Sequence, residues 1–135
     1  MSEVIEFDVP HKYSPYKTGI VVDAFLRHGD QEVRIDARID TGSTYCIFER
    51  GLGEGLGLVI ESGIPADIGT VTGSFRVYGH EVELEVLGAF TDSTVYFTES
   101  DLFDRNVLGR TGWLDRVKLG LIEPEGRLLL SEYKN

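Results

Sequence analysis

"RIDARIDTGSTYCIF", residues 34 to 48, begins as a strand and ends as something else. Ile35, Ala37 and Ile39 alternate with Arg34, Asp36 and Arg38, so an extended chain presents one apolar and one charged face. The alternation stops on Asp40, and Thr41, Gly42 and Ser43 follow at once. A carboxylate at a strand end gains from such neighbours if its oxygens must be held in place. Glycine lets backbone approach closely, while threonine and serine bring hydroxyl donors. The plainer alternative is an Asp that opens an Asx or ST turn, and the triplet alone does not separate the two.

Outward from this stretch the chain reads as strands. Thr18 to Leu26 and Gln31 to Ile39 are period-two runs joined by Arg27-His28-Gly29-Asp30, which has hairpin chemistry. Residues 3 to 9 form a third candidate strand with Ile5, Phe7 and Val9 on one side, stopped by Pro10, and residues 11 to 17 read as loop. Residues 49 to 58 allow one or two helical turns despite four glycines. Residues 64 to 86 read as a long hairpin with its tip at Gly69 to Gly73. In its second arm Val82, Leu84 and Val86 alternate with Glu81, Glu83 and Glu85.

Thr94 to Thr98 is a further strand, and Asp92-Ser93-Thr94 reads as the turn before it. A polar loop leads to Val107-Leu108-Gly109, and a short helix is expected over Gly112 to Val117. Leu119 to Ile122 and Arg127 to Tyr133 pair through Glu123-Pro124-Glu125-Gly126, which suits a type I turn. The expectation is an all-β, barrel-like domain of a size for one core.

The chain of 135 residues carries a formal charge of -10, which repels phosphate backbones and anionic membrane surfaces and excludes nucleic acid as an expected partner. No apolar run approaches the ~18 residues of a spanning helix. The lone Cys46 has no intramolecular disulfide partner, and MSEVIEFD lacks the basic and apolar regions of a signal peptide. A reducing, cytoplasmic setting is the expectation. Cys46, among Tyr45, Ile47 and Phe48, reads as a buried, inert thiol, and Trp113 as cover for one end of the core. His11, His28 and His80 have no partner at a recognised metal spacing and read as surface or turn residues. "GLGEGLG" does not satisfy a dinucleotide fingerprint. No metal and no cofactor are expected.

Three elements in order resemble a known family. Ile39-Asp40-Thr41-Gly42-Ser43, the glycine-bounded Gly69-Thr70-Val71-Thr72-Gly73, and Val107-Leu108-Gly109-Arg110 ahead of a short helix are similar to the single-domain, retropepsin-like (retroviral-type) aspartic peptidases, here of a cellular type. The resemblance spans about residues 18 to 122 within a single domain of residues 1–135, with flanking strands at both termini. It implies a closed, barrel-like retropepsin fold with a flap hairpin and one short C-terminal helix.

The resemblance also implies an endopeptidase acting on peptide or protein substrates. Asp40 would be catalytic in a loop with Thr41, Gly42 and Ser43, and Thr41 would bond across a two-fold axis. Gly69, Thr70, Val71, Thr72 and Gly73 would form the substrate flap. Val107, Leu108, Gly109 and Arg110 would support the loop. One Asp-Thr-Gly per chain implies a homodimer. The Ser43 hydroxyl would bond Asp40 and lower the dyad's apparent pKa values. The acidic partner that retroviral enzymes give the arginine is replaced by Thr44, which leaves Glu49, Asp115 or solvent to satisfy Arg110. Alternative readings are a retropepsin-folded, dimeric peptide-binding module with little or no catalysis, and a structural domain whose triplet is coincidental.

Overall fold

The alternation around Ile35 becomes half of a regular hairpin in the computed structural model, which describes residues 1 to 134. Strand β1 is Val9–Lys12, β2 Ile20–His28 and β3 Gln31–Ile39, the last two joined by Gly29 and Asp30 with Gly29 at φ +56°. Two-residue β4, Ile47–Phe48, leads into helix α1, Arg50–Gly55. Glycine is a poor helix former, yet Gly53 is required: a Cβ there would lie 2.6 Å from Ile60 Cδ1 and 2.9 Å from Phe97 Cδ1. A 3-10 turn at Ile60–Ser62 follows, and His80 packs beneath it with Nε2 2.8 Å from the Ile60 carbonyl oxygen. His80 is therefore half-buried structure rather than a surface residue.

The long hairpin is β5, Ile64–Thr70, and β6, Gly73–Val86. Its turn is only Val71 and Thr72, because Gly69 and Thr70 already pair with Ser74 and Gly73. β6 runs unbroken through Gly79 and turns through Leu87 (φ +50°) and Gly88 (φ +85°) into β7, Ala89–Thr98. Asp92-Ser93-Thr94 is thus mid-strand and not a turn. Ser93 is buried and its hydroxyl donates to the Gly112 carbonyl, a non-local bond that local turn chemistry does not foretell. The remaining strands are β8 (Val107–Leu108), β9 (Val117–Ile122) and β10 (Arg127–Glu132).

Seven strands form one sheet in the order β2-β3-β8-β4-β7-β6-β5. It closes because the far end of β6 also pairs with β2, from Ala24 opposite Val86 to Arg27 opposite Glu83. β5 is left outside the closure as one arm of a projecting hairpin. Val22, Ala24, Leu26, Ala37, Phe48, Leu84, Val86, Phe97, Leu108 and Trp113 fill the interior. The fold is all-β, with α1 preceding the hairpin. The helix expected over 112 to 117 is a single 3-10 turn, Leu114–Arg116, because β9 begins at Val117 and leaves no room for more.

β1, β10 and β9 form a second, antiparallel sheet. β1 starts at Val9 and runs through Pro10 and His11, where sequence reading expects a strand to end and a loop to begin. Tyr13 N–H donates to Gly126 O, and the antiparallel alternation then turns the backbone groups of Val9 and His11 toward β10 and those of Pro10 outward. Proline is tolerated there because an edge strand needs no donor on that side. Among the described residues no helix is long and apolar enough to cross a membrane.

Candidate active site

Where β3 runs out, a second strand takes hold of it. β8 lies parallel to β3, Arg38 N–H donates to Asn106 O (2.8 Å) and Asp40 N–H donates to Leu108 O (3.0 Å). The chain then loops over β8 and returns as β4 on its other side, with Ile47 opposite Val107. Within the loop, Ser43 O accepts from Arg110 N–H (2.9 Å) and Thr44 O from Thr111 N–H (2.7 Å). Residues 107 to 111 thus pass through the turn made by residues 40 to 47, and Val107 and Leu108 are buried beneath it.

The passage is tight at one point. A Cβ on Gly109 would lie 2.1 Å from Tyr45 O, 2.6 Å from Tyr45 C and 2.8 Å from Ser43 O, all backbone atoms. Only glycine leaves room for both segments.

Asp40 stands at the top of this knot, exposed together with Thr41 and Gly42. One carboxylate oxygen, Oδ1, accepts the Gly42 N–H at 2.9 Å, and the Asp40 carbonyl accepts the Ser43 N–H at 3.1 Å. The carboxylate is oriented by its own loop while its outer side faces solvent. The Ser43 hydroxyl does not reach it. It donates to Tyr45 O at 2.7 Å, since the chain curls back toward β4 directly after Ser43 and brings that carbonyl closer than the carboxylate. The expectation that Ser43 bonds Asp40 is corrected accordingly.

Below the loop, Cys46 is fully buried, and Gly109 N–H donates to its Sγ at 3.4 Å. Burial pushes its thiol pKa up to about 12, so it is no nucleophile at neutral pH. Arg110 carries its side chain in the open and has no carboxylate within ion-pair distance among the described residues. Glu49 is taken by Asn106, whose Nδ2 donates to Glu49 Oε2 (3.0 Å) while its Oδ1 accepts Glu49 N–H (3.1 Å). Asp115 accepts the Gly112 N–H at 3.0 Å.

Asn106 is the residue that sequence reading missed. It binds β3 through its backbone and Glu49 through its side chain, so it fastens both ends of the loop to β8. Its only local signal is its place immediately before Val107-Leu108-Gly109.

Beside Asp40 lies a cleft of about 390 Å³, lined on the loop side by Asp40, Gly42, Ser43, Thr44, Tyr45 and Ile47 and on the other by Asp67, Ile68 and Gly69 of β5. The projecting hairpin therefore forms the opposite wall with its arm. Thr70, Val71, Thr72 and Gly73 do not line the cleft, and Val71 is fully exposed at the end of the projection. The hairpin is stiffened by a two-pronged pair, Arg76 Nε to Asp67 Oδ1 (2.7 Å) and Nη2 to Oδ2 (3.3 Å), which holds the Asp67 carboxyl below its ordinary range. Phe75 packs against Phe103 at 5.3 Å between ring centroids, tying the hairpin to the polar loop.

No family model matches the chain, and no curated protein matches it. Among solved structures it is similar to the EIAV protease complexed with the inhibitor HBY-793, with a TM-score of 0.55 and 15% identity over 70% of this chain and 85% of that one. At that identity the likeness concerns the fold, and the fold is retropepsin-like.

Proposed function

We propose that this chain is an aspartic endopeptidase of the single-domain, cellular type, with an Asp dyad assembled from the Asp40 of two copies. The observation that carries the reading is the setting of Asp40. Its backbone is held by β8 and its exposed carboxylate accepts from its own loop, at the mouth of a cleft walled by a projecting hairpin. The likeness to a protease fold supports the same reading.

Each copy supplies half a site. Across a two-fold axis the carboxylates would stand about 3 Å apart, where both cannot stay ionised, so the pair shares one proton. The ionised Asp40 takes a proton from a water as its oxygen attacks the scissile carbonyl carbon. The protonated Asp40 gives its proton to the carbonyl oxygen. Collapse of the tetrahedral intermediate then breaks the C–N bond, with a proton delivered to the leaving nitrogen.

Thr41, exposed beside Asp40, bonds across the axis to the other loop. β5 has an open edge, to which an extended peptide or protein segment adds as a strand while Gly69 to Gly73 close over it. Apolar Tyr45, Ile47 and Ile68 line its path. A reducing, cytoplasmic setting agrees with a sole cysteine kept as a buried thiol.

The test is cleavage of a peptide library as a function of protomer concentration, for the native chain and Asp40→Asn. Activity should fall more steeply than linearly on dilution and vanish in the variant, with fold and self-association retained. Peptide capture that survives Asp40→Asn, without cleavage by either protein, would replace this reading with that of a binding module.

A further inference from the structure

We infer that Arg110 reads a carboxylate on the bound peptide, so that the substrates are peptides with an aspartate or glutamate side chain close to the scissile bond. This rests on the reading of the Asp40 cleft as a peptide-cleaving site and concerns which peptides it takes.

In a chain of formal charge -10 acids outnumber bases, so an arginine without a carboxylate is the exception. Arg27, Arg34, Arg50, Arg76, Arg116 and Arg127 each hold one within ion-pair distance. Among the described residues, Arg38, Arg105 and Arg110 do not. Arg38 lies along Gly19, whose Cβ would fall 2.8 Å from its Nε, and Arg105 belongs to the polar loop before β8. Of these three, Arg110 is the one that stands beside the Asp40 cleft.

Its backbone is fixed while its guanidinium is not. Arg110 N–H donates to Ser43 O (2.9 Å) and Arg110 O accepts from Asp115 N–H (2.9 Å), so the residue is anchored in the knot under Asp40. It lines a cavity of about 470 Å³ together with Thr44, Thr111, Leu114 and Asp115. Thr44 also lines the Asp40 cleft, so the two spaces share a wall. Asp115 is the one carboxylate lining this cavity, and it is engaged: Oδ1 accepts the Gly112 N–H at 3.0 Å and lies 3.6 Å from Arg116 Nε. Asp67, on the opposite wall of the cleft, is held by Arg76. The acids that would oppose a peptide carboxylate are thus countered, whereas Arg110 is open to one.

A carboxylate is the partner that this set of groups fits. A guanidinium binds it through two parallel N–H donors, and the hydroxyls of Thr44 and Thr111 are further donors on the same wall. An extended peptide turns successive side chains to opposite sides, and one directed past Thr44 brings an Asp or Glu to Arg110. Elsewhere the net negative charge of the chain repels acids, so the contact sets the register of the peptide more than its overall affinity.

The test is cleavage of a peptide library by the native chain, Arg110→Gln, Arg110→Lys and Arg110→Glu, followed by kcat/KM for matched peptides that differ only by Glu or Gln at the position so found. The native chain should enrich acids at one position and favour Glu over Gln there by about ten-fold, the scale of one charge-assisted hydrogen bond, with the preference shrinking as salt is added. The ratio should fall to near one in Arg110→Gln and lie between in Arg110→Lys, which keeps the charge without the fork. Arg110→Glu should favour Lys at that position. Cleavage with no acid preference, or a preference that survives Arg110→Gln, overturns this inference and leaves the peptidase reading standing. So does weakened self-association of Arg110→Gln with an unchanged ratio, which would give Arg110 to an acid of the second copy. Capture of the same library by Asp40→Asn, with and without Arg110→Gln, separates the two readings. Captured peptides enriched in acids only when Arg110 is present, with no cleavage by the native chain, overturn the peptidase reading and keep the role of Arg110. A chain that neither cuts nor captures peptides overturns both.

Discussion

The passage of residues 107 to 111 through the Asp40 loop makes Gly109→Ala the most informative single change. The added methyl would sit 2.1 Å from Tyr45 O and 2.8 Å from Ser43 O, whereas ordinary contact begins near 3.4 Å. The loop must retreat by about 1 Å, because neither obstacle is a side chain that can swing away. Such a retreat breaks or stretches the Arg110 N–H to Ser43 O and Thr111 N–H to Thr44 O bonds, now 2.9 and 2.7 Å. These two bonds at ~0.5–1.5 kcal/mol each, plus residual strain, amount to about 2–4 kcal/mol. For a chain of this length that lowers Tm by about 7–14 °C.

A 1 Å displacement of Asp40 also costs roughly 10²-fold in any activity that depends on it. Thermal and urea denaturation followed by circular dichroism measures the first effect, and peptide cleavage the second. Gly51→Ala is the matched control. A Cβ there meets nothing within 4 Å, and a helical Gly to Ala change should stabilise by about 0.5–1 kcal/mol. If Gly109→Ala melts within ~2 °C of the native protein, the two segments do not pass as closely as described and the account of loop support fails.

Three further outcomes follow from the same geometry. Ser43→Ala removes the hydroxyl bond to Tyr45 O and should cost about 1 kcal/mol in urea unfolding while leaving the pH profile of cleavage in place; a shifted profile with unchanged stability would return the hydroxyl to Asp40. The Cys46 thiol stays neutral in the fold up to about pH 12, whereas the unfolded thiol ionises near 8.5. Its contribution to stability is therefore complete below about pH 8.5 and lost as the pH climbs through about 12, and thiol reagents at pH 8 should label it only at the rate of unfolding. Trp113 Nε1 is buried with no acceptor among the described residues, so Trp113→Phe removes a donor whose burial is itself unfavourable. Its cost in denaturation should be less than half that of Trp113→Ala, which at a core aromatic runs to ~3–5 kcal/mol; equal costs would show that the indole N–H is satisfied.

The local code of this chain is strong where neighbours in sequence are also neighbours in space. Gly29-Asp30 between two alternating runs specifies the β2–β3 hairpin, and Val82, Leu84 and Val86 against three glutamates specify which face of β6 is inside. The buried state of Cys46, Val107, Leu108 and Trp113 was legible from apolar character alone. The Leu87-Gly88 turn was not, because a leucine at positive φ carries no turn signature and is imposed by the two long strands it joins.

What only the tertiary structure decided depends on partners far along the chain. That Pro10 lies within a strand, and that Ser93 points inward to Gly112, follow from which edge faces β10 and which carbonyl lies opposite. That Ser43 turns to Tyr45 and that Asn106 locks the loop follow from β8 entering between β3 and β4. Residues 34 to 48 by themselves determine a strand ending on an acid in a small-residue turn. They do not determine where that acid is held, because the groups that hold it belong to a segment some seventy residues on. Hydrogen bonds between strands carry no mark in the sequence of either strand, and they are settled only when the barrel closes.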